Sequence, residues 1–239
     1  DNVTVTVTYS ANANTTYVIQ HFKQNLDGSY PADPSDTDSM TGTTGQTVTT
    51  EGQVRMYEGF TYAPDAVGTV TSGTITGDGS LTLKLYYTRN EHTVTYEYEG
   101  TVPAGAGSLP EATPYKYGEP VSIAPAPTTP AGYTFSGWTI EEAFTMPDED
   151  VVIKGSFKAN GDTPYTVEYY VQNIEDDDYT QESTKTEKGE TGSEAIIVPK
   201  QRDGFEINEE KSLLKDKIAG NGSTVLKVYY DRIKYEVEY

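Results

Sequence analysis

Cysteine is absent from the 239-residue sequence. This absence excludes disulfide bonds, thiolate metal sites and catalysis by a thiol. Secreted eukaryotic proteins built from small modules usually carry disulfides. An acidic chain rich in threonine and tyrosine that lacks them is more typical of a bacterial extracellular protein, and we expect that localisation.

Basic residues and long apolar runs are also scarce. There are 17 lysines and arginines against 37 acidic residues, which gives a net charge of −20. Such a field repels phosphate backbones and anionic lipid, so we expect no nucleic-acid partner. No segment approaches the ~20 apolar residues of a membrane helix, and no signal peptide opens the chain. We expect a piece of a longer protein, with no membrane insertion within it and with export and anchoring signals elsewhere.

The sequence repeats itself at long range. Leu81–Arg89 reads LTLKLYYTR and Thr224–Arg232 reads TVLKVYYDR. Further matches upstream of the two strands are Tyr17–Asn25 with Tyr165–Asn173, Tyr57–Phe60 with Arg202–Phe205, and Gly77–Ser80 with Gly220–Ser223. We name the copies the first A module (residues 16–90) and the second A module (residues 163–232). A different stretch, the B module (residues 91–162), lies between them.

The two ends of the chain match parts of the B module. Asn2–Asn12 aligns with Asp150–Asn160, and Tyr230–Tyr239 aligns with Tyr87–Tyr96. We therefore predict that residues 1–12 are the last strand of a preceding B-type module. Residues 233–239 are predicted to be the first strand of a following one, within a longer alternating array.

Local patterns predict a mainly β protein with some helix (α+β). Apolar residues alternate with threonine over Val3–Tyr9, and Leu81–Tyr87 alternates in the same way. Turn dipeptides such as Asp78-Gly79 are frequent. One helix is predicted from the cap at Asn208 to Gly220, because acidic residues follow the cap and an apolar stripe follows them.

Aromatic side chains must supply much of each core. The modules have only about 70–75 residues, which is near the lower limit for an independent core. The candidate core residues are Tyr17, Phe22, Phe60, Tyr87, Phe135, Trp138, Phe157, Phe205 and Tyr230. The joins after the A modules contain no flexible glycine–serine linker, so we expect neighbouring repeats to stabilise one another.

Both kinds of module resemble known repeats. The B module resembles the Listeria–Bacteroides repeat, the B-repeat of listerial internalins, through HTVTYEYEG, YKYGEPVSIAPAP, GYTFSGW at Gly132–Trp138 and FTMPDEDVVIKGSF. It departs from that pattern by an Ala/Gly-rich insertion at 101–108. The A modules resemble the mucin-binding-protein (MucBP-like) repeat of Gram-positive surface proteins through YVIQHF, a central Thr-Gly, x-Gly-Phe and the closing LKLYY or LKVYY. The resemblances imply tandem ubiquitin-like β-grasp modules in an elongated rod on a wall-anchored adhesin, and they do not transfer mucin binding as an activity.

The histidines do not indicate catalysis. His21 and His92 lie in predicted strands of different modules, and their counterparts in the second period are Tyr169 and Tyr235. A structural role is therefore favoured over a metal site or a triad, which needs a positioned partner.

Acidic clusters and the single tryptophan also have structural interpretations. Asp33, Asp36 and Asp38 fall in a predicted loop, and Glu175–Asp178 form a run in the second copy. Oxygen-rich loops bind calcium, but neither has the EF-hand spacing, so solvated loops are favoured over a weak cation site. Trp138 is expected in the core rather than as a sugar platform. We predict no catalytic, cofactor-binding or metal-binding residue.

Two tyrosines are candidate ligand-facing residues. Tyr86 and Tyr229 point away from the face that carries Tyr87 and Tyr230. A row of exposed tyrosines suits a glycan or peptide ligand, and it equally suits a shield over the sheet or over a module joint.

The predicted function is non-enzymatic. We expect a repeat segment of a bacterial cell-surface adhesin that acts as a semi-rigid stalk or spacer. The alternative is that the modules bind host mucin glycans or an extracellular protein, weakly each but multivalently. The two A modules share glycines, aromatic residues and the alternating pattern of their strands, all of which determine the fold. They share no obvious polar cluster, and this favours the spacer.

Overall fold

The computed structural model describes residues 2–238. Every regular element in this range is a β-strand, which confirms the mainly β prediction. No helix occurs in the range, so the helical part of the predicted class is wrong, and residues 2–238 therefore contain no helix that crosses a membrane.

The chain divides into two compact units: Asp1–Thr95, Glu111–Ile123 and Glu142–Val152 in the first, and Tyr96–Pro110, Ala124–Glu141 and Ile153–Tyr239 in the second. The division falls inside the predicted B module, and the predicted module boundaries stay predictions.

The first unit contains the first A module. Its strands are β1 (Thr15–Lys23), β2 (Asp36–Gly42), β3 (Thr47–Thr49), β4 (Phe60–Tyr62), β5 (Ser72–Thr74) and β6 (Thr82–Arg89). Four of them form a sheet in the order β2-β1-β6-β4, with a parallel central pair and antiparallel outer pairs. β3 and β5 pair separately as a two-stranded ribbon. Alternate residues of the central strands therefore face one core, which contains Ile19, Leu83, Leu85 and Tyr87.

The second unit contains the second A module, which repeats this topology. Its strands are β13 (Thr163–Gln172), β14 (Tyr179–Gly189), β15 (Glu194–Ile196), β16 (Phe205–Ile207), β17 (Lys215–Lys217) and β18 (Val225–Arg232). The sheet order is β14-β13-β18-β16, again with a parallel central pair, and β15 pairs with β17. Val167, Leu226, Val228 and Tyr230 form the equivalent core.

The strands between the A modules belong partly to each unit. They are β7 (Glu91–Glu99), β8 (Thr113–Lys116), β9 (Pro120–Val121), β10 (Tyr133–Trp138), β11 (Phe144–Thr145) and β12 (Val151–Ala159). In the first unit, Glu91–Val94 pairs with β8, and β9 pairs with β11. In the second unit, β10 pairs with β12 around a register shift after Phe135.

The predicted aromatic core is confirmed for most of its members. Five side chains are buried: Tyr17, Phe22, Tyr87, Trp138 and Tyr230. Four are half-buried: Phe60, Phe135, Phe157 and Phe205. Trp138 is the centre of an aromatic cluster in the second unit, with Tyr96 and Phe135 about 5 Å away between ring centroids. Its predicted core role is confirmed.

The predicted helix at 208–220 is wrong. Asn208 does close one turn, since its side-chain oxygen accepts from the Lys211 amide at 3.0 Å. Leu213 then exchanges backbone hydrogen bonds with Lys227 of β18, and Lys215–Lys217 pairs with β15. Pairing with these strands satisfies the backbone groups of this segment, and a helix of this length has little stability of its own to oppose it.

The end segments do not form the predicted strands. Val3, Val5, Val7 and Tyr9 are all mostly exposed, and Tyr235 and Val237 near the other end are exposed as well. Their alternating pattern suits a strand with one apolar face, but a strand needs a neighbour for its backbone groups, and no neighbour pairs with them among residues 2–238. Asp1 and Tyr239 lie outside the described residues. The assignment of both segments to flanking B-type modules stays a prediction.

Candidate functional sites

Tyr86 is buried on the outer face of the first A module. Its ring stacks on Phe22 at 4.8 Å and meets the edge of Tyr30 at 4.7 Å. Gly68 lies over its hydroxyl so closely that a Cβ there would approach to 2.9 Å. Only 9% of Tyr86 is exposed, so it presents little surface to a ligand.

Tyr229 occupies the same position in the second A module and is more open. It stacks on Tyr170 at 4.6 Å and contacts the edge of Tyr179 at 5.0 Å. The Lys211 ammonium lies 4.4 Å from the centre of the Tyr179 ring. These four residues line a recess of about 350 Å³. We call them the tyrosine patch.

Carboxylates accept hydrogen bonds from two tyrosines of the tyrosine patch. Tyr170 donates to Glu168 at 2.8 Å, and this hydrogen bond raises the pKa of Tyr170 to about 12. Tyr179 donates to Asp231, and burial together with this bond raises its pKa as well. The hydroxyls of Tyr170 and Tyr179 are therefore already engaged within the patch.

His21 lies in a buried polar network of the first A module. Its Nδ1 is 2.9 Å from the Tyr87 hydroxyl and its Nε2 is 3.0 Å from Asp38. Arg55 pairs with the other oxygen of Asp38. The network gives His21 a structural role. Asp36 and Asp38 lie in β2, and their prediction as loop residues is wrong because β1 pairs with them.

The second A module is open where this network lies in the first. Tyr169 stands in the position of His21, and Lys200 in that of Arg55. A cleft of 660 Å³ follows, with Tyr169 and Tyr230 among its walls and Lys200, Arg202 and the exposed Val198 beside them. Within residues 2–238 no three His, Asp or Glu side chains are grouped as metal ligands would be.

A direct joint links the first A module to the residues that follow it. Arg89 is central: its Nε donates to the Gln24 carbonyl at 2.7 Å and its Nη1 to the Tyr117 carbonyl at 2.7 Å. The guanidinium also lies 4.9 Å from the ring centre of Phe60. Gly59 is covered by the Tyr117 ring, which a Cβ at residue 59 would approach to 2.0 Å. Only glycine allows this contact, and its φ of +74° also favours glycine.

Asp148 closes the same joint with its carboxylate. One oxygen accepts from the Gly59 amide at 2.9 Å, and the other accepts from Asn90 at 2.7 Å and lies 2.8 Å from His92 Nε2. The Asn90 hydrogen bond, followed by that with His92, holds the pKa of Asp148 below its usual range. The carboxylate therefore stays an acceptor to lower pH than an ordinary aspartate.

A second joint lies within the second unit, where the turn before β10 meets the second A module. The Asn160 amide donates to the Gly132 carbonyl at 2.8 Å, and the Asn160 carbonyl accepts from the Thr191 amide at 2.9 Å. Gly220 lies directly against this turn, since a Cβ at 220 would be 2.1 Å from the Ala131 carbonyl oxygen. Backbone thus contacts backbone across this joint.

Comparisons with known proteins give weak likenesses. No family model matches the sequence, and no curated protein matches it. Repeat domains 3–4 of a streptococcal cell-surface protein (Streptococcal High Identity Repeats in Tandem) are 17% identical over 60% of this chain and 98% of theirs, with a TM-score of 0.25. The crystal structure of Mub-RV is 14% identical over 61% of this chain and 99% of its own chain, with a TM-score of 0.24. The Bacillus anthracis TIE protein is 11% identical over 93% of this chain and 51% of its own chain, with a TM-score of 0.33. TM-scores this low do not establish a shared fold, so membership of the MucBP-like and internalin B-repeat families stays a prediction.

Proposed function

We propose that the chain is a non-enzymatic repeat segment of a bacterial cell-surface adhesin, outside the cell, and that it acts as a spacer. The observation that carries the proposal is the direct joint on either side of the B module. Side chains such as Arg89 and Asp148 hydrogen-bond across one joint, and the Gly220 backbone packs across the other. Joints of this kind resist bending, and a spacer needs that resistance to hold a distal domain at a distance. Attachment to the cell wall is part of the same proposal.

Asp148→Ala is expected to loosen the first joint. The change leaves the Gly59 amide without its acceptor and removes the partner of Asn90, which together weaken the joint by about 1–3 kcal/mol. The measurement is a spin-label distance distribution between Glu51→Cys and Glu111→Cys, two exposed positions in a chain without other cysteines. We expect a narrow distribution in the parent and a wider one in the variant.

The matched control for this test is Glu149→Ala. Glu149 is exposed and adjacent to Asp148 in sequence, and it makes no hydrogen bond or ion pair among residues 2–238. It should leave the distribution narrow. A distribution that is already broad in the parent would contradict the spacer function, because the joint would then bend without any mutation.

A second candidate function is weak, multivalent binding of host glycoprotein or mucin glycans. The tyrosine patch favours it, because Tyr229 is half-buried and lines an open recess, whereas Tyr86 at the same position of the first A module is buried. Tyrosine supplies a rigid contact surface at low entropic cost, and sugar rings present C–H groups to such faces. This role is proposed for Tyr229 rather than for the buried Tyr86.

Tyr229→Ala is expected to weaken glycan binding about tenfold or more if the tyrosine patch is a receptor. Loss of an aromatic anchor costs roughly tenfold or more in affinity. The measurement is calorimetric titration with purified mucin glycans, with Tyr235→Ala as the control, since Tyr235 is an exposed tyrosine outside the patch. Absence of saturable binding by the parent at high micromolar concentration would eliminate this candidate and leave the spacer.

A further inference from the structure

The arginine that forms the first joint has a counterpart at the end of the second A module. Arg232 Nε donates to the Gln172 carbonyl at 2.9 Å, as Arg89 Nε donates to the Gln24 carbonyl at 2.7 Å. The Arg232 amide donates to the Gln172 side-chain oxygen at 2.9 Å, and the Arg89 amide to that of Gln24 at 3.2 Å. The second module therefore holds its arginine in the orientation that the first joint uses.

The residues around this arginine are repeated as well. Its guanidinium lies 4.9 Å from the ring centre of Phe205, the same distance as in the first module. Gly204 has a φ of +76°, and its carbonyl accepts from the Ile233 amide at 3.0 Å. Gly59 has a φ of +74° and its carbonyl accepts from Asn90 at 2.9 Å. We call Gly204, Phe205 and Arg232 the second socket.

The second socket differs from the first in what covers it. Gly59 is buried beneath the Tyr117 ring, whereas Gly204 is exposed and a Cβ there would meet nothing within 4 Å. A recess of 430 Å³ opens beside Gly204 and Phe205. Within residues 2–238 the Arg232 terminal nitrogens donate to no carbonyl such as that of Tyr117.

We propose that the second socket is a docking site for the Tyr–Gly turn of a B-type module, the kind of turn that Tyr117 and Gly118 form. The tyrosine ring covers Gly204 and meets the edge of Phe205, its carbonyl accepts from Arg232, and an aspartate equivalent to Asp148 accepts from the Gly204 amide. A B-type module is the occupant, rather than an unrelated protein, because each group of the socket repeats one that such a turn already fills in the first unit.

Sequence differences beside the socket do not remove this fit. Ile233 and Tyr235 stand where the first joint has Asn90 and His92, which contact the Asp148 carboxylate. The Ile233 amide keeps the bond to the Gly204 carbonyl that the Asn90 amide makes to the Gly59 carbonyl, so the backbone of the socket is the same in both modules. The inference rests on the proposed spacer function and gives it a repeating joint.

The test exchanges the two A modules within the full chain, in the order 1–14, 163–232, 90–162, 15–89, 233–239. Gly204 then precedes the B module and Gly59 follows it. The readout is backbone amide exchange by NMR. We expect the hydrogen-exchange rate of the Gly204 amide to fall about tenfold relative to the unmodified chain, because this amide gains the Asp148 acceptor. The exchange rate of the Gly59 amide should rise by a similar factor.

Tyr117→Ala in both chains is the matched control. It should raise the hydrogen-exchange rate of the Gly59 amide only in the unmodified chain, and that of the Gly204 amide only in the chain with exchanged modules. An unchanged Gly204 rate overturns the proposal, and so does an exchanged chain in which Trp138 fluorescence shows an unfolded B module, because a fitting socket supports that module as the first one does. Either failure, with a narrow spin-label distribution in the unmodified chain, leaves the spacer function standing.

Discussion

Gly220→Val is expected to open the joint that precedes the second A module. A Cβ at 220 would lie 2.1 Å from the Ala131 carbonyl oxygen and 2.9 Å from its carbonyl carbon. These are backbone atoms of a turn held by the hydrogen bond between Asn160 and Gly132, so they cannot move aside at low cost. Gly220 is not at positive φ, so the backbone conformation does not itself require glycine there. We expect the joint to lose about 1–3 kcal/mol, as in overpacked contacts.

Amide exchange at Thr191 measures this opening. Its N–H donates across the joint to the Asn160 carbonyl, so its exchange should quicken when the joint separates, while the amides of β18 in the module core stay protected. The matched control is Gly77→Val, because Gly77 aligns with Gly220 and a Cβ there would be 3.7 Å from the nearest atom, Thr44 Cγ2. Retained protection of Thr191 in Gly220→Val, or equal effects of the two substitutions, would contradict the predicted role of this glycine.

Glycine thus has a role at both joints that the repeat comparison alone does not reveal. Gly59 and Gly204 align and share a left-handed backbone, which a turn residue explains. The structure adds that Gly59 must also lack a side chain because Tyr117 covers it. Gly220 needs no special φ, and only its contact with Ala131 requires glycine there. Joint contacts come from residues far apart in sequence, so no local pattern could predict them.

The repeat makes the sheet topology accessible from sequence, and it also bears on the predicted helix. The LKxYY strands at Leu81–Arg89 and Thr224–Arg232 have the same partners in both modules. The cap and the apolar stripe of the segment at 208–220 predict a helix, while the aligned stretch at 64–76 is rich in glycine and threonine. Two copies of one fold must share their elements. Because the stretch at 64–76 is a poor helix former, the aligned copies together favour strand pairing at both places.

The candidate ligand residues show where alignment stops being informative. Tyr86 and Tyr229 occupy the same position of the repeated strand, and the alternation of side chains along that strand correctly places both on the outer face of the sheet. Their exposure differs because Gly68 covers Tyr86, whereas Lys211 lies beside the rings around Tyr229. The covering segments, at 64–76 and 208–220, differ in sequence between the two A modules. Exposure of an outer-face residue depends on such segments, so the strand pattern could not predict it.

Leu226→Ala is expected to unfold the second A module without affecting the first. Leu226 is fully buried on β18, and its truncation should cost about 2–5 kcal/mol. A module of about 70 residues has only a few kcal/mol of net stability, so this loss is comparable with the whole. The first A module has its own core around Leu83, which is equally buried. Calorimetry should therefore show one transition lowered or lost and another unchanged.

Leu83→Ala should give the reciprocal result, and Leu213→Ala serves as the control because 44% of that side chain is exposed and its truncation removes little buried area. Hydrogen exchange of the β6 amides and of the β18 amides assigns each thermal transition to the first or the second A module. If Leu226→Ala lowered the stability of both A modules together, the repeats would fold as one cooperative system, and the predicted division at 90–91 and 162–163 would be wrong. If only the second A module responds, the first A module folds without it, and the joints transmit orientation between modules rather than the stability of their cores.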